Sequence, residues 1–351
     1  MKHIDRRTFV QQLGTLSVLA CLPQSLLAQI ISKTPPISPF GAGSTAEQVT
    51  EGLDLAGKTY AITGANSGLG YETMRVLTMR GAHVIGIARS MEKAEAACSS
   101  VQGHATPAFL DLADFESVVN CGSMIRAMNT PLDGLVCNAG IMALQERELV
   151  NGVERQFAVN HLGHFILINQ LMESVMAAPQ GRFVILSSVA HKRAPEVGIQ
   201  FDDLDFSKSG YDNWAAYGHS KLANALCSLE LAQRLSGTST TSNSVHPGVI
   251  NTNLGRHMSW YMRWGSKLLG WAFMKSIEEG AATQTYVATN PGLAGVNGYY
   301  FVDCNPDPGD TEQMRDEAMA ARLWQVSEEL TRDYLPGPVT QASPGSTSRD
   351  T

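Results

Sequence analysis

The chain has little positive charge for its size: its 351 residues carry a formal net charge of -7, with a pI near 5.7. Binding the phosphate backbone of a nucleic acid needs a basic face, so this balance argues against a nucleic-acid partner. The six cysteines include no Cys-x-x-Cys pair, which fits buried thiols better than a zinc site or a disulfide framework. One disulfide bond remains an alternative if the protein is exported. No internal repeat is present, while a 44% hydrophobic content is enough for a sizeable core.

The two ends of the chain do not resemble a folded domain. The stretch from Asp5 to Val10 resembles a twin-arginine export signal, and the apolar segment 13–22 after it is too short to span a bilayer conventionally. We therefore predict a leader over 1–35, a Pro- and Gly-rich linker over 36–52, one domain over 53–335 and a disordered polar tail over 336–351. The leader predicts export to the bacterial periplasm or membrane tethering if it is retained. The alternative is a cytoplasmic protein with a frayed basic tail.

Apolar runs alternate with helical patterns along the middle of the chain, which predicts an α/β fold with a parallel sheet and right-handed crossovers. A long helix is predicted over 152–178 and another over 214–235, and Asp114 is a helix N-cap candidate. The predicted strands are 58–63, 82–88, 105–110, 132–137, 182–187, 242–246 and, at the edge of the sheet, 298–302.

A glycine-rich turn follows the first predicted strand and precedes a helix. Strand, turn and helix in this order form a phosphate site, because the free N–H groups and the dipole at a helix start favour an anion. Gly64 permits the tight turn, Gly68 lets the backbone approach a pyrophosphate, and Gly70 lets the helix lie close to the strand. The residues predicted to bind there are Gly64, Asn66, Ser67, Gly68, Leu69 and Gly70.

Tyr217 and Lys221 are four residues apart on a predicted helix, so their side chains share a face. An ammonium about 4 Å from a phenol contributes on the order of 4 kcal/mol at an effective dielectric of 20. This attraction predicts a phenol pKa lower by as much as about 3. Tyr217 is therefore a candidate proton donor or acceptor near neutral pH.

Several motifs in this order resemble the short-chain dehydrogenase/reductase family, and the resemblance covers about 53–334. The sequence around Tyr217 and Gly280 is similar to the retinol-dehydrogenase-like branch of that family. The resemblance implies a single Rossmann-type domain, with about seven strands in a doubly wound sheet and helices on both faces. The motifs are the glycine turn, Asn138-Ala139-Gly140, Asn160, Ser187-Ser188, Tyr217-x-x-x-Lys221 and the stretch from His246 to Thr252.

The resemblance also implies roles for these residues. Ser188 would donate a hydrogen bond to the substrate oxygen, Lys221 would bind the nicotinamide ribose, and Asn160 would hold a water on the proton path. The implied reaction interconverts a carbonyl and an alcohol by hydride transfer, in a homodimer or homotetramer. Further residues implied to contact the cofactor are Asp111, Leu112, Asn138, Ala139, Gly140, Tyr217, Lys221, Pro247, Gly248, Val249 and Thr252.

The cofactor preference is predicted at the end of the second strand. An NAD enzyme places a carboxylate there to bind the ribose 2′-hydroxyl, whereas this chain has Ala88 and then Arg89. A guanidinium pairs with a 2′-phosphate, so the sequence predicts NADP, with NAD as the alternative. The alternative interpretation is that Arg89 is a surface residue at the end of the strand and does not bind the cofactor.

Two aromatic stretches predict an apolar substrate pocket under a mobile lid. They are 195–213, with Phe201, Phe206 and Tyr211, and 251–277, with Trp260, Trp264 and Trp271 among others. A lipophilic carbonyl or alcohol is the predicted substrate, and packing of these aromatics at a subunit interface or a membrane is the alternative. No metal site is expected, because His161 and His164 have no third ligand at a recognisable spacing. His219 is expected to face away from Tyr217.

Overall fold

A mostly parallel sheet lies at the centre of the described structure. The computed structural model describes residues 35–250, 275–307 and 311–337. The strands are β1 (Thr59–Thr63), β2 (His83–Ala88), β3 (His104–Phe109), β4 (Gly134–Cys137), β5 (Leu149–Val150), β6 (Val153–Glu154), β7 (Arg182–Leu186), β8 (Thr241–His246), β9 (Tyr300–Val302) and β10 (Asn305–Asp307).

Eight of these strands form the main sheet, in the order β10-β9-β8-β7-β4-β1-β2-β3. All neighbours are parallel except β9 and β10. Every residue of β1, β4 and β7 is buried, as expected for strands covered on both faces. The chain leaves β1 towards β2 and β3, then returns to β4 on the other side of β1. Ligands bind in the crevice that such a reversal opens at the carboxyl ends of the strands.

Helices cover both faces of the sheet. They are α1 (Ala46–Val49), α2 (Gly68–Met79), α3 (Met91–Ser100), α4 (Phe115–Ala127), α5 (Gly163–Met176), α6 (Asn213–Arg234), α7 (Ile277–Thr289) and α8 (Glu317–Leu330). One hydrophobic core lies between the sheet and α4, α5, α6 and α8, and a second lies under α1, α2, α3 and α7. The predicted doubly wound Rossmann-type fold is confirmed. The Asp114 side chain accepts from the Ser117 N–H, so the predicted N-cap of α4 is confirmed as well.

The predicted helix over 152–178 is wrong at its start. Residues 149–154 form a β5–β6 hairpin, with Asn151 at φ 50 and Gly152 at φ 82 in its turn. An Asn-Gly pair is a strong hairpin signal, because both positions tolerate positive φ. One helical turn (Arg155–Phe157) and a π-helical turn (Ala158–Leu162) then lead into α5. The N–H of Gly163 consequently donates to the carbonyl of Ala158, five residues back.

The structure also differs from prediction at the edge of the sheet and in the linker. β9 is not an edge strand, because β10 pairs with it on the outside. Within the predicted linker, α1 forms under a Thr45–Gln48 capping box and buries Ala46 and Val49 against the core. So short a helix has too few residues to show periodicity in the sequence.

Parts of three predictions lie outside the described residues. They are the leader except for residue 35, the tail beyond residue 337, and the aromatic stretch over 251–274, which includes Thr252. Of the helices that the structure describes, none combines the length and the apolar character needed to cross a membrane.

Candidate active site

A cavity of about 1000 Å³ opens at the carboxyl ends of β1, β2, β4 and β7. It collects residues from every motif singled out in the sequence except Asn160. The predicted site residues that line it are Gly64, Asn66, Ser67, Gly68, Leu69, Arg89, Asp111, Leu112, Asn138, Ala139, Gly140, Ser188, Tyr217, Lys221, Pro247, Gly248 and Val249. Gly70 and Asn160 lie behind the wall, and Thr252 is outside the described residues.

The glycine turn has the geometry that the sequence predicted. Gly64 and Gly68 adopt φ values of 72 and 56, which favour glycine. A Cβ on Gly70 would lie 2.5 Å from both the Gly64 carbonyl oxygen and Asn138 Nδ2, so only glycine lets α2 lie this close to the strand. The Ser67 side chain makes no capping hydrogen bond. The first N–H groups of α2 are therefore not capped by that side chain and suit a phosphate.

Thr63, the last residue of β1, fixes the loop across the cavity. Its Oγ1 accepts hydrogen bonds of 3.0 Å from the N–H groups of Asn138 and Ala139. Asn138 Nδ2 in turn donates to the Thr63 carbonyl at 2.8 Å. The side chain of Asn138 thus joins β1 to the loop after β4, and it has a structural part at the cavity wall.

Ser188, Tyr217 and Lys221 meet at one end of the cavity. Asp212 caps α6 by accepting from the N–H groups of Trp214 and Ala215, which places Tyr217 in the second turn of the helix. Lys221 Nζ lies 5.6 Å from the centroid of the Tyr217 ring and donates to the Leu186 carbonyl at 3.0 Å. Tyr217 and Ser188 share a side-chain hydrogen bond. The predicted convergence of Tyr217 and Lys221 on one helix face is what the structure shows.

The predicted lowering of the Tyr217 pKa is wrong for the protein alone. Burial raises the pKa of Tyr217 to about 12, and the hydrogen bond with Ser188 only partly offsets this rise. Burial also lowers the pKa of Lys221 to about 8, because the ammonium loses its water. The prediction counted the attraction between the two groups but not the loss of solvent around both. Tyr217 is therefore a neutral phenol at neutral pH, the form that donates a proton.

Asn160 lies behind the cavity wall, between the loop after β4 and α6, and its implied role of holding a water stays a prediction. Its Oδ1 accepts from the Ile141 N–H at 2.8 Å, and its Nδ2 donates to the Ile141 carbonyl and to Ser220 Oγ. Both N–H donors of the side chain are used, and the residue is fully buried. The Asn160 side chain thus ties the loop after β4 to α6 and does not face the cavity.

Two positively charged side chains line the end of the cavity opposite Tyr217. Arg89 follows β2, and Lys93, in the first turn of α3, lines the same wall. Neither side chain forms an ion pair within the described part of the chain. The sequence reasoning missed Lys93, although its place four residues after Arg89, in the turn of helix that Ser90 caps, is a usable signal.

The three histidines considered in the sequence are buried and neutral. His161 hydrogen-bonds Ser327 Oγ at 2.8 Å, and His219 Nε2 accepts from the Gln200 N–H at 3.0 Å. Burial lowers the pKa of His161, His164 and His219 to about 3, 4 and 4. In the described ranges, no group of three or more His, Cys, Asp or Glu side chains is arranged to hold a metal ion. The five described cysteines are buried and unpaired.

The aromatics of 195–213 do not line the cavity. Phe206 is buried against His219, Tyr211 donates to the Leu144 carbonyl, and Phe201 lies under Arg322. The prediction that they form the substrate wall is wrong. Trp214 and Val189 line the cavity beside Tyr217 and Ser188 instead. Trp214 precedes Tyr217 by three residues on α6, so helix spacing is a signal that the sequence reasoning did not use.

Comparison with known proteins decides the family. A model of the short chain dehydrogenase family matches residues 58–200. A chloroplastic short-chain dehydrogenase of Brassica napus, TIC 32 B, is 40% identical over 311 residues, which cover 85% of this chain and 96% of that protein. The chain is a short-chain dehydrogenase/reductase. As a member of this family, the protein is an NAD(P)-dependent oxidoreductase acting on alcohol and carbonyl groups.

Two further comparisons place this protein within the family. Human retinol dehydrogenase 13 is 39% identical, with 79% of this chain and 85% of that protein covered, so the predicted retinol-dehydrogenase-like branch is confirmed. A crystal structure of an uncharacterized protein from Mycobacterium paratuberculosis is 34% identical. It superposes with a TM-score of 0.66 over 83% of this chain and 98% of the other.

Proposed function

We propose that the protein uses NADP(H) to interconvert a carbonyl and an alcohol on a lipophilic small molecule, with Tyr217 as the general acid or base. The observation that carries this proposal is the meeting of Tyr217, Ser188 and Lys221 in the same cavity as the glycine turn. That cavity extends from the start of α2 to α6, which suits a dinucleotide whose phosphates and reactive ring lie far apart.

The residues of the cavity fit the cofactor. The start of α2 would hold the pyrophosphate, and Lys221, whose pKa burial lowers to about 8, would bind the nicotinamide ribose. Arg89 and Lys93 line the wall after β2 where a ribose 2′-phosphate would lie, and no carboxylate pairs with either side chain in the described residues. Two unpaired cations favour a 2′-phosphate over a 2′-hydroxyl, which supports NADP over NAD.

The bound nicotinamide supplies or accepts the hydride. The protein moves the proton and stabilises charge. In reduction, the neutral Tyr217 hydroxyl donates a proton to the carbonyl oxygen, and Ser188 stabilises the charge that develops there. In oxidation, the same phenol must first lose its proton, which burial disfavours.

An apolar wall next to these groups supports a lipophilic substrate. Val189, Trp214 and Met142 line the cavity, and residue Val189 is 39% exposed. An exposed valine beside Ser188 gains from contact with an apolar group.

The second candidate function is a catalytically silent regulatory protein that binds NADP. Turnover separates the two: NADPH consumption is measured with a panel of aldehydes and ketones, in wild type and in Tyr217→Phe. We expect wild-type turnover and a loss of about 10²–10⁴-fold in kcat for Tyr217→Phe. NADPH affinity should be unchanged. Equal, negligible rates in both proteins, with intact NADPH binding, would support the regulatory function.

We propose further that the leader exports or tethers the protein. The support is the Arg6-Arg7 pair ahead of a short apolar segment. Cell fractionation, with mass spectrometry of the mature N-terminus, tests this proposal. An intact N-terminus in the cytoplasmic fraction would overturn it. A homodimer or homotetramer is proposed from the family resemblance alone, and light scattering tests it.

A further inference from the structure

The cavity that contains Tyr217 is basic, although the protein as a whole is acidic. The net charge of the chain is -7, yet a single acidic side chain, Asp111, lines the described cavity. Six basic side chains line it as well: Arg89, Lys93, Arg155, Lys192, Arg193 and Lys221. An excess of one sign of charge in a cleft concentrates ligands of the opposite sign.

The proposed cofactor accounts for part of this charge. Arg89 and Lys93 would bind the ribose phosphate, and Lys221 is buried beside Tyr217. Arg155 is paired with Glu148. Arg193 remains, and it belongs to the short 3-10 helix that follows Ser188. Positive charge therefore persists at the end of the cavity where the substrate carbonyl would lie.

Arg193 stacks on Trp214, whose ring in turn contacts the ring of Tyr217. Its guanidinium carbon lies 5.0 Å from the Trp214 ring centroid, and that centroid lies 6.2 Å from the Tyr217 ring. The guanidinium is thus within about 11 Å of the Tyr217 ring. Stacking on an indole fixes the plane of a guanidinium and leaves its N–H groups available to a carboxylate.

Arg193 has no ion-pair partner in the described structure, and its side chain is exposed. An unpaired guanidinium beside Val189 and Trp214 combines an anion site with an apolar wall.

We propose that the substrate is an amphipathic carbonyl compound bearing a carboxylate, which Arg193 binds while the apolar chain lies along Val189 and Trp214. This inference rests on the proposed function, because it places the carbonyl at Tyr217. The carboxylate takes no part in the redox step, in which the carbonyl carbon gains the hydride from NADPH and its oxygen gains the Tyr217 proton.

The test compares three aldehydes of one chain length: azelaic semialdehyde, its methyl ester and nonanal. kcat and KM are measured with NADPH for wild type, Arg193→Gln and Arg322→Gln. Arg322 is the matched control, because its guanidinium also lies over an aromatic ring, Phe201, but outside the cavity. Binding of azelate to the NADP-loaded protein is measured in parallel by calorimetry.

Wild type should favour the semialdehyde over its ester by about 10-fold in kcat/KM, mostly through KM, in line with a charge-assisted hydrogen bond. Arg193→Gln should remove this preference and leave kcat/KM for the ester and for nonanal unchanged. Arg322→Gln should leave kcat/KM for all three aldehydes unchanged. The preference should also shrink at high salt. Equal kcat/KM for acid and ester, or an equal loss for all substrates in Arg193→Gln, would overturn the proposal.

Turnover tests the proposed oxidoreductase function, and azelate binding tests the carboxylate site independently of it. If no aldehyde is reduced but azelate binds about 10-fold more weakly to Arg193→Gln, the carboxylate site stands and the proposed oxidoreductase substrate class is wrong. If nonanal is reduced but azelate binds equally to both proteins, the oxidoreductase function stands and the carboxylate site is wrong.

Discussion

The imidazole of His164 joins the Asn160 carbonyl to Thr63. His164 Nδ1 lies 3.0 Å from the Asn160 carbonyl oxygen, and Nε2 lies 2.9 Å from Thr63 Oγ1. A carbonyl can only accept, so Nδ1 carries the proton and Nε2 accepts from the threonine hydroxyl. Thr63 Oγ1 then accepts from the N–H groups of Asn138 and Ala139. One neutral histidine thus completes a hydrogen-bond chain from the π-helical turn to the cofactor-facing loop.

Removing this link should loosen the loop. His164→Leu removes the acceptor of the Thr63 hydroxyl and the side-chain donor to the Asn160 carbonyl, and each loss costs about 1–3 kcal/mol. We expect the free energy of unfolding in urea to fall by about 2–4 kcal/mol and NADPH affinity to weaken. His161→Leu is the control: it removes one bond, to Ser327, on the side of α8. If NADPH affinity changes equally in both variants, the role given to His164 is wrong.

The buried histidines should make stability depend on pH. The pKa of His164 is about 4 in the folded protein, against 6.5 for an unperturbed histidine, so the unfolded state binds more protons between these values. The contribution of His164 to the free energy of unfolding is fully present above pH 6.5 and is lost as the pH falls towards 4. Each histidine contributes a slope of about 1.4 kcal/mol per pH unit in that range. Urea titrations should give a shallower slope for His164→Gln than for wild type. An unchanged slope would show that this imidazole does not stay neutral.

The pH dependence of catalysis should differ between the two directions. Tyr217, with a pKa of about 12, keeps its proton at neutral pH, so kcat/KM for carbonyl reduction should be flat there. It should decline above pH 8, where Lys221 loses its charge. Alcohol oxidation needs the deprotonated phenol, so its rate should rise with pH. Lys221→Arg keeps its charge to higher pH and should move the decline upward, even at a lower overall rate. A decline that stays in place would exclude Lys221 as its source.

Cofactor preference should depend on Arg89 and Lys93. Losing one charge-assisted contact to the 2′-phosphate should raise KM for NADPH by about 10–100-fold in Arg89→Ala. NADH lacks that phosphate and serves as the internal control, since its KM should hardly change. Lys93→Ala should act in the same direction, with a smaller effect. If KM for both cofactors rises together, Arg89 supports the fold of the turn and does not select the phosphate.

Gly70 should tolerate no side chain. A Cβ would meet the Gly64 carbonyl oxygen at 2.5 Å, and backbone atoms cannot move aside cheaply. We expect Gly70→Ala to cost about 1–3 kcal/mol of stability and to weaken NADPH binding. Gly41→Ala is the control, because nothing lies within 4 Å of its added methyl group. Thermal melts with and without NADPH measure both effects. A Gly70→Ala protein as stable as Gly41→Ala would contradict the close approach of α2.

Local signals were sufficient for much of the site. The strand, glycine turn and helix around Gly64 are set by neighbouring residues, and so is the shared face of Tyr217 and Lys221. The β5–β6 hairpin also had a local signal, Asn151-Gly152, which the helical pattern of the following residues obscured. β10 gave no comparable signal, because three residues are too few for periodicity.

Burial could not be predicted from spacing. The distance between Tyr217 and Lys221 along the helix gives their attraction, but desolvation depends on everything packed around them, and it dominates the pKa of both. The same limit explains Asn160 and Phe206. Each has the residue type expected of a site, yet packing turns the first towards Ile141 and Ser220 and the second towards His219.

The amino-acid sequence by itself determined the alternation of strands and helices, the glycine turn and the pairing of Tyr217 with Lys221, because these depend on residues a few positions apart. Only the tertiary structure decided which charges share the cavity. Arg89 and Lys93 follow β2, and Arg193 follows β7 about a hundred residues later. They line the same cavity because parallel strands all end at one edge of the sheet, where the strand order reverses between β1 and β4.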